Sequence, residues 1–112
     1  MFYMSDFEDN LAANAVTGNV LSGRAHEFLK EDSQVIIGVV AEKSLVFCTV
    51  IVGDEVLMDD QEISAQNRMP VAPDDFILRT VGLAGSQITI RFRNGNGATT
   101  ADCFTAVIVD PI

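Results

Sequence analysis

The stretch "RFRNGNGATT" (91–100) sets two arginines beside a glycine-rich loop, the pairing with which many proteins hold phosphate. The loop lacks the third glycine of a dinucleotide fingerprint and the Gly-Lys-Ser/Thr of a nucleotide P-loop. The run after the loop, "DCFTAVIV", has the composition of a strand, whereas both phosphate motifs need the free N–H groups of a helix N-terminus. Gly95, Asn96 and Gly97 therefore read as residues that tolerate positive φ in a wide hairpin loop. Arg91 and Arg93, with Arg79 on a neighbouring run, could form a basic stripe that contacts a partner. The plainer reading of the three is a solvated face whose long stems cover the sheet.

Other reactive residue types are few. Cys48 and Cys103 both sit in apolar runs and read as buried free thiols rather than a disulfide. Two cysteines and one histidine, His26, do not make an ordinary zinc site. The acids of "GDEVLMDDQE" (53–62) and "PDD" (73–75) are too many to ignore. Asp59, Asp60 and Glu62 could meet Asp74 and Asp75 around calcium, but the EF-hand pattern is absent. Charges that keep edge strands from aggregating explain them more simply. With no Gly-x-Ser-x-Gly elbow either, the expectation is no catalytic residues, no metal, no cofactor and no enzyme.

The totals narrow the partners. The 112 residues suffice for one domain, and 48% of them are hydrophobic. Sixteen acids against seven bases give a net charge of −9, which disfavours direct contact with nucleic acid or an anionic membrane. The N-terminus "MFYMSDFEDN" does not read as a secretory signal.

Strand signals dominate the elements that must position these residues. "SQVIIGVVAEK" (33–43) and "SLVFCTVIVGDE" (44–55) read as a hairpin broken at Glu42–Ser44. "GDEVLMDD" (53–60) comes next as a third run. "DDFILRTVGL" (74–83) and "SQITIRFRN" (86–94) read as a second hairpin around "GLAGS", and "DCFTAVIVD" (102–110) closes the chain. "GNVLSG" and "RAHEFLK" are weaker candidates. The expected fold is all-β, an antiparallel β-sandwich of six to eight strands, jelly-roll-like, over residues 19–112. In "QITIRFR" the residues alternate cleanly, but the runs 35–41 and 45–52 are apolar on both faces. Something must cover the second face, either the chain's own arm or a neighbouring subunit. Residues 1–18 form that N-terminal arm. Ser5 and Glu8 fit a capping box, Phe7, Leu11 and Ala15 share one helical face, and Gly18 would end the helix. The arm's apolar residues Phe2, Tyr3, Phe7 and Leu11 are candidate partner contacts, with Arg79, Arg91 and Arg93.

At "GRAHEFLKEDSQVIIGVV" and "PVAPDDFILRTVGLAGSQITIRFRN" the chain resembles small β-sandwich structural proteins of bacteriophage virions. The resemblance covers residues 23–110 and lies in texture: a short arm, compact strands, a Pro-x-x-Pro break at Pro70 and Pro73, a closing hairpin. It implies a subunit of a particle, a capsid decoration or cement protein or a minor capsid protein, made in the host cytoplasm and built into the virion. Its partners would be copies of itself, with a trimer favoured, and another capsid protein. The alternative from another class is a ligand-binding β-sandwich module for carbohydrate or calcium.

Overall fold

The computed structural model describes residues 1–72 and 74–112, so the expected break at Pro73 lies outside the described residues. Seven strands form: β1 (Phe2–Leu11), β2 (Ser33–Ala41), β3 (Val46–Val52), β4 (Glu55–Glu62), β5 (Leu78–Gly82), β6 (Ile88–Asn94) and β7 (Ala101–Pro111). They make two antiparallel sheets, one ordered β1-β7-β2-β5 and the other β4-β3-β6. The fold is the expected antiparallel sandwich, and no helix occurs among the described residues.

The order carries a further regularity. The segment 12–29 runs along the open side of β6 without becoming a strand. Thr17 and Val20 donate backbone N–H groups to Phe92 and Ile90, Leu29 donates to Ser86, and Ile88 donates to Glu27. Side chains fill the gaps: Phe92 N–H donates to Thr17 Oγ1, and Ile90 N–H to Asn19 Oδ1. Counted as a strand, this segment gives the sheets the strand order of a jelly roll, in which successive strands repeatedly cross between layers. The weak candidates "GNVLSG" and "RAHEFLK" belong to it, which explains their faint signal: they supply edge hydrogen bonds, not a pleated face.

Three connections expected to be hairpins are crossings between the sheets. β2 and β3 lie in different sheets, as do β5 and β6, and β6 and β7. A hairpin and a crossing both need a short polar break, so composition does not separate them. Between β2 and β3 the chain turns sharply at Leu45, whose φ is +62°. Its N–H donates to Glu62 Oε2 at 3.0 Å, and its carbonyl accepts the Gly95 N–H at 2.7 Å. The glycines at positive φ are Gly23, Gly53 and Gly85 rather than Gly95 or Gly97. Gly95 is needed because a Cβ there would stand 2.8 Å from both the Leu45 carbonyl and the Phe47 ring.

The expected N-terminal helix is a strand instead. Phe2–Leu11 pairs with β7 from Phe2↔Val109 to Glu8↔Cys103, with a bulge before Leu11 where Asn10 takes φ +52°. A lone helix of this length is marginal in water, while the β7 edge offers partners to the backbone groups on one side of the strand. The expected arm thus docks on its own domain, as the outermost strand of the larger sheet.

The core lies between the layers. Val35, Ile37, Val107 and Val109 of the larger sheet face Val46, Val50, Ile88, Ile90 and Phe92 of the smaller one. The second face of β2 is covered from within the chain, and not by the arm. Described residues of the β4–β5 connection fold back over it: a Cβ on Gly38 would meet the Asp75 carbonyl and Pro70 Cβ, each at 2.9 Å. β3 alternates in burial after all, its outer residues Phe47, Thr49 and Ile51 being half-buried. These two runs therefore require no neighbouring subunit.

One end of the sandwich converges on Asn94, which has no exposed surface. Its Nδ2 donates to the carbonyls of Leu11 at 3.0 Å and Thr99 at 2.9 Å, with Ala12 at 3.4 Å. Its Oδ1 accepts from Asn96 N–H at 2.9 Å and from Asn96 Nδ2 at 3.0 Å. Asn94→Ala orphans several of these groups at once. Urea unfolding is expected to show a loss of about 2–4 kcal/mol, from buried polar groups that each cost about 1–3 kcal/mol unpaired. A loss within about 0.5 kcal/mol, the range of ordinary surface changes, would contradict this role.

Candidate functional site

The Gly-Asn-Gly loop is a connection between the two sheets. Its polar groups are already engaged with the chain: Asn96 Nδ2 donates to the Ser44 carbonyl at 3.0 Å, and Asn14 N–H donates to the Asn96 carbonyl. The neighbouring arginine is engaged as well. Arg93 grips Asp60 through two bonds, Nε–Oδ1 and Nη2–Oδ2, both 3.0 Å, and lies 4.2 Å above the centre of the Phe47 ring. Its guanidinium spans β3 from β6 to β4. Asp60 reaches it from a bulge, at φ +47°, with its N–H donating to Thr49 Oγ1. Hydrogen bonding to Arg93 holds the Asp60 carboxyl below the usual carboxylate range.

The three arginines do not make one stripe. Arg91 and Arg93 lie opposite Thr49 and Phe47 on the outer face of the smaller sheet. Arg79 lies opposite Ile36 on the outer face of the larger one. The expected grouping depended on β5 and β6 being a hairpin, and they belong to different layers. The acids do not converge either. Asp60 is taken by Arg93, Asp75 by Arg68, and Glu62 accepts the Leu45 N–H. Among the described residues no group of three or more His, Cys, Asp or Glu is arranged to hold a metal ion.

Cys48 and Cys103 are free and buried, and burial pushes both thiols up, Cys103 to about 12. They are unreactive as nucleophiles at neutral pH. His26 stacks on Phe2 with ring centres 4.2 Å apart.

The surface most unlike an ordinary solvated face is the outside of the larger sheet. Directly opposed residues of paired strands share a face, so the register defines three rows. Tyr3, Ile108 and Ile36 form one, Ser5, Ala106 and Gly38 the next, Phe7, Phe104 and Val40 the third. The rings of Phe7 and Phe104 are 5.1 Å apart. Toward β5 the rows of Gly38 and Val40 dip under described residues of the β4–β5 connection, while the Ile36 row continues to the exposed Arg79. Toward β1 they emerge into water, where Tyr3 is 59% exposed and Phe7 50%. Of the expected partner contacts, Tyr3 and Phe7 share this face. Arg79 shares it too, at the β5 end of the Tyr3 row, whereas Phe2 points to the core side at the open end, Leu11 packs against the core, and Arg91 and Arg93 lie on the other sheet. The residues that sequence reasoning missed are Ile36, Phe104 and Ile108. For Phe104 and Ile108 the even spacing in "DCFTAVIVD" was the available signal, masked because the odd positions are mostly apolar too, as they are around Ile36.

A cleft of about 330 Å³ opens beside this face. β5 pairs with β2 only as far as Ile37, and the next contact on that side is the bridge of Ala41 to Ala65. Val39, Val40, Met58, Ile63 and Ile77 line the gap, with Gln61, Ser64 and Asp74. Asp75 holds its wall in place. One Asp75 oxygen accepts from Arg68 Nη1 and from the Val71 N–H at 2.8 Å, the other from Gln66 Nε2 at 3.1 Å. The Val71 N–H, then Arg68 and Gln66, keep the Asp75 carboxyl below the usual range against the opposing effect of burial.

A carboxyl whose folded value lies below its unfolded value stabilises the fold above the unfolded value and loses that contribution as pH falls through the folded one. Asp75→Asn is therefore expected to cost about 1.5–3 kcal/mol at pH 7, the worth of hydrogen bonds to a charged group. The gap from the unsubstituted chain begins to narrow as the pH falls below about 4, the unfolded value, and closes only as it passes the lower folded value, where Asp75 itself becomes neutral. Urea midpoints at pH 7, 5 and 3 check this. A gap independent of pH would mean that shape rather than charge holds the loop.

Comparison with known proteins finds no matching family model, no curated protein of significant similarity and no significantly similar solved structure.

Proposed function

We propose that the chain is a structural subunit that works by assembly rather than catalysis, through the outer face of the β1-β7-β2-β5 sheet. The observation that carries this reading is the pair of apolar rows running from Ile36 and Val40 to the exposed rings of Tyr3 and Phe7. An antiparallel sheet with one face in water is ordinarily polar on that face. Large apolar residues kept in rows at the surface mark a contact with another macromolecule. The role that fits is a decoration, cement or minor capsid subunit of a bacteriophage particle, bound to copies of itself and to another shell protein. The jelly-roll strand order supports the role by analogy, since capsid domains use it, and lectins and cupins use it too. A closed ring, with a trimer favoured, buries an identical patch on every copy.

The cleft of about 330 Å³ favours a second reading, a ligand-binding sandwich, because its size suits a small molecule and its walls mix apolar and polar groups.

Sedimentation at micromolar concentration separates the two. The assembly reading expects a species heavier than the 12.1 kDa chain. Replacing Tyr3→Ser and Phe7→Ser together removes apolar area worth about 25 cal/mol per Å². Association should weaken at least about tenfold, equivalent to 1.4 kcal/mol, with the far-ultraviolet circular dichroism unchanged. A monomer at every concentration, or association indifferent to the double substitution, would overturn the reading.

A further inference from the structure

β1 is an edge strand with a light hold on the core. Of its ten residues only Met4 is fully buried, with Leu11 packed at the edge of the core. Its core-facing side, where apolar residues belong, carries Asp6 and Glu8 instead. They sit opposite Thr105 and Cys103, neither of which has exposed surface. Asp6 Oδ2 and Thr105 Oγ1 face the interior with no hydrogen-bond partner among the described residues.

The charges around the strand oppose its docking. Asp6 and Glu8 adjoin each other on one face, Cys103 lies beneath Glu8, and Asp9 approaches Asp102 and Glu42 at the bulge. Among the described residues the one ion pair on this strand is Arg24 with Asp6, at 3.6 Å. Partial burial and the neighbouring carboxylates raise both Glu8 and Asp9. The hinge is in place as well: Asn10 and Asn14, at either end of the short link out of the strand, adopt φ of +52° and +59°.

We infer that β1 is an exchangeable strand, which leaves its own β7 and is replaced there by β1 of a second copy. Departure uncovers the edge of β7, a row of unpaired N–H and C=O groups that cannot stay open without drawing in another strand. The identical strand is the occupant that fits. It alone brings Met4 opposite Val107 and Asp6 within reach of Arg24, in the register already built. Exchange between identical chains makes and breaks the same contacts, so its cost is the hinge, and domain swapping is a common route to dimers. This contact differs from face-to-face association, and either can hold without the other.

The direction with pH is set by the charges. A carboxyl raised in the closed strand favours closure while protonated and loses that contribution as pH rises from the ordinary carboxylate range through the raised value. Opening is therefore faster at pH 7.5 than at pH 4.5.

The test uses Ser5→Cys with Ala106→Cys, directly opposed residues whose Cα spacing in a paired sheet suits a disulfide. Tyr3, Phe7 and Phe104 stay in place. Cys48 and Cys103 are buried in the closed chain, and Cys103 is replaced by Ser in this background so that the departure of β1 uncovers no native thiol. Oxidation immediately after dilute refolding should link each chain to itself. Oxidation after incubation at high concentration and pH 7.5 should give a covalent two-chain species on a non-reducing gel. That fraction should fall several-fold at pH 4.5 and in a background of Asp6→Asn with Glu8→Gln. Amide exchange of the unsubstituted chain, corrected for intrinsic rates, should show residues 2–8 less protected than β2 and β7 by at least tenfold. Intrachain disulfides alone at every concentration and time, or β1 amides as protected as the central strands, would overturn the inference. Loss of mass in the Tyr3→Ser, Phe7→Ser chain without interchain disulfides would show the face contact to be real and the exchange absent.

Discussion

The carboxamide of Asn94 ties together elements that the chain lays down far apart. Leu11 ends the first strand, Thr99 precedes the last, and Asn94 ends β6, so one buried side chain fixes where two strands stop and a third begins. Through Asn96 the same node reaches Ser44, in the crossing from β2 to β3. A sandwich that repeatedly crosses between layers has many connections at its ends, and each brings backbone groups that must find partners away from water. Asparagine suits the task because its amide both donates and accepts, and because it stays neutral in the interior. Gly95 answers the same constraint. With the loop drawn in this far, the Leu45 carbonyl and the Phe47 ring leave no space for a side chain at position 95.

The open edges are handled differently on each side. β6 is closed by the irregular segment 12–29, with Thr17 and Asn19 side chains accepting hydrogen bonds where a strand would have used its backbone. β4 stays open and carries Glu55, Asp59, Asp60 and Glu62, with a bulge at Asp60 that breaks the run of pairing groups. Charge and bulge together discourage edge-to-edge aggregation. β5 is short, and where it stops described residues of the β4–β5 connection take over. Asp75 sets that segment, so a carboxylate holding an arginine, a glutamine and a backbone N–H determines how the second face of β2 is covered.

How much of this was legible depends on what each signal reports. β2, β3, β6 and β7 announced themselves through Val, Ile and Phe, because such residues fit a pleated, half-buried surface wherever the strand lies. Which strands pair did not show, since the breaks at Glu42–Ser44 and at "GLAGS" have turn composition whether the chain returns in its own sheet or steps to the other. The first strand was misread for a related reason. Phe7 and Leu11 are four apart, as on a helix, while the period-two pattern is blurred by Asp6 and Glu8 on the core-facing side. Local signals fit both forms, and the unpaired edge of β7 decides between them. Tyr3 and Phe7 were singled out for being apolar in an acidic segment, and that physical ground survives the change from helix to strand. The arginine grouping rested on an assumed pairing and dissolved with it.

The net charge of −9 is not spread evenly. On the outer face of the smaller sheet it is answered locally, by Arg93 across to Asp60 over the Phe47 ring. Around β1 it is not, for Asp6, Glu8, Asp9, Asp102 and Glu42 gather near a strand whose one ion pair among the described residues is to Arg24. The same strand presents Tyr3 and Phe7 to water on its opposite side. A strand selected only to close the sheet would carry the reverse arrangement, with rings inward and acids outward, since burying apolar area stabilises and burying like charges costs. Phe7 on the outside and Glu8 on the inside are each in the less stable position for a chain that functions alone. The contact proposed for the outer face would account for the rings, since covering them would offset part of what the acids on the inner side cost.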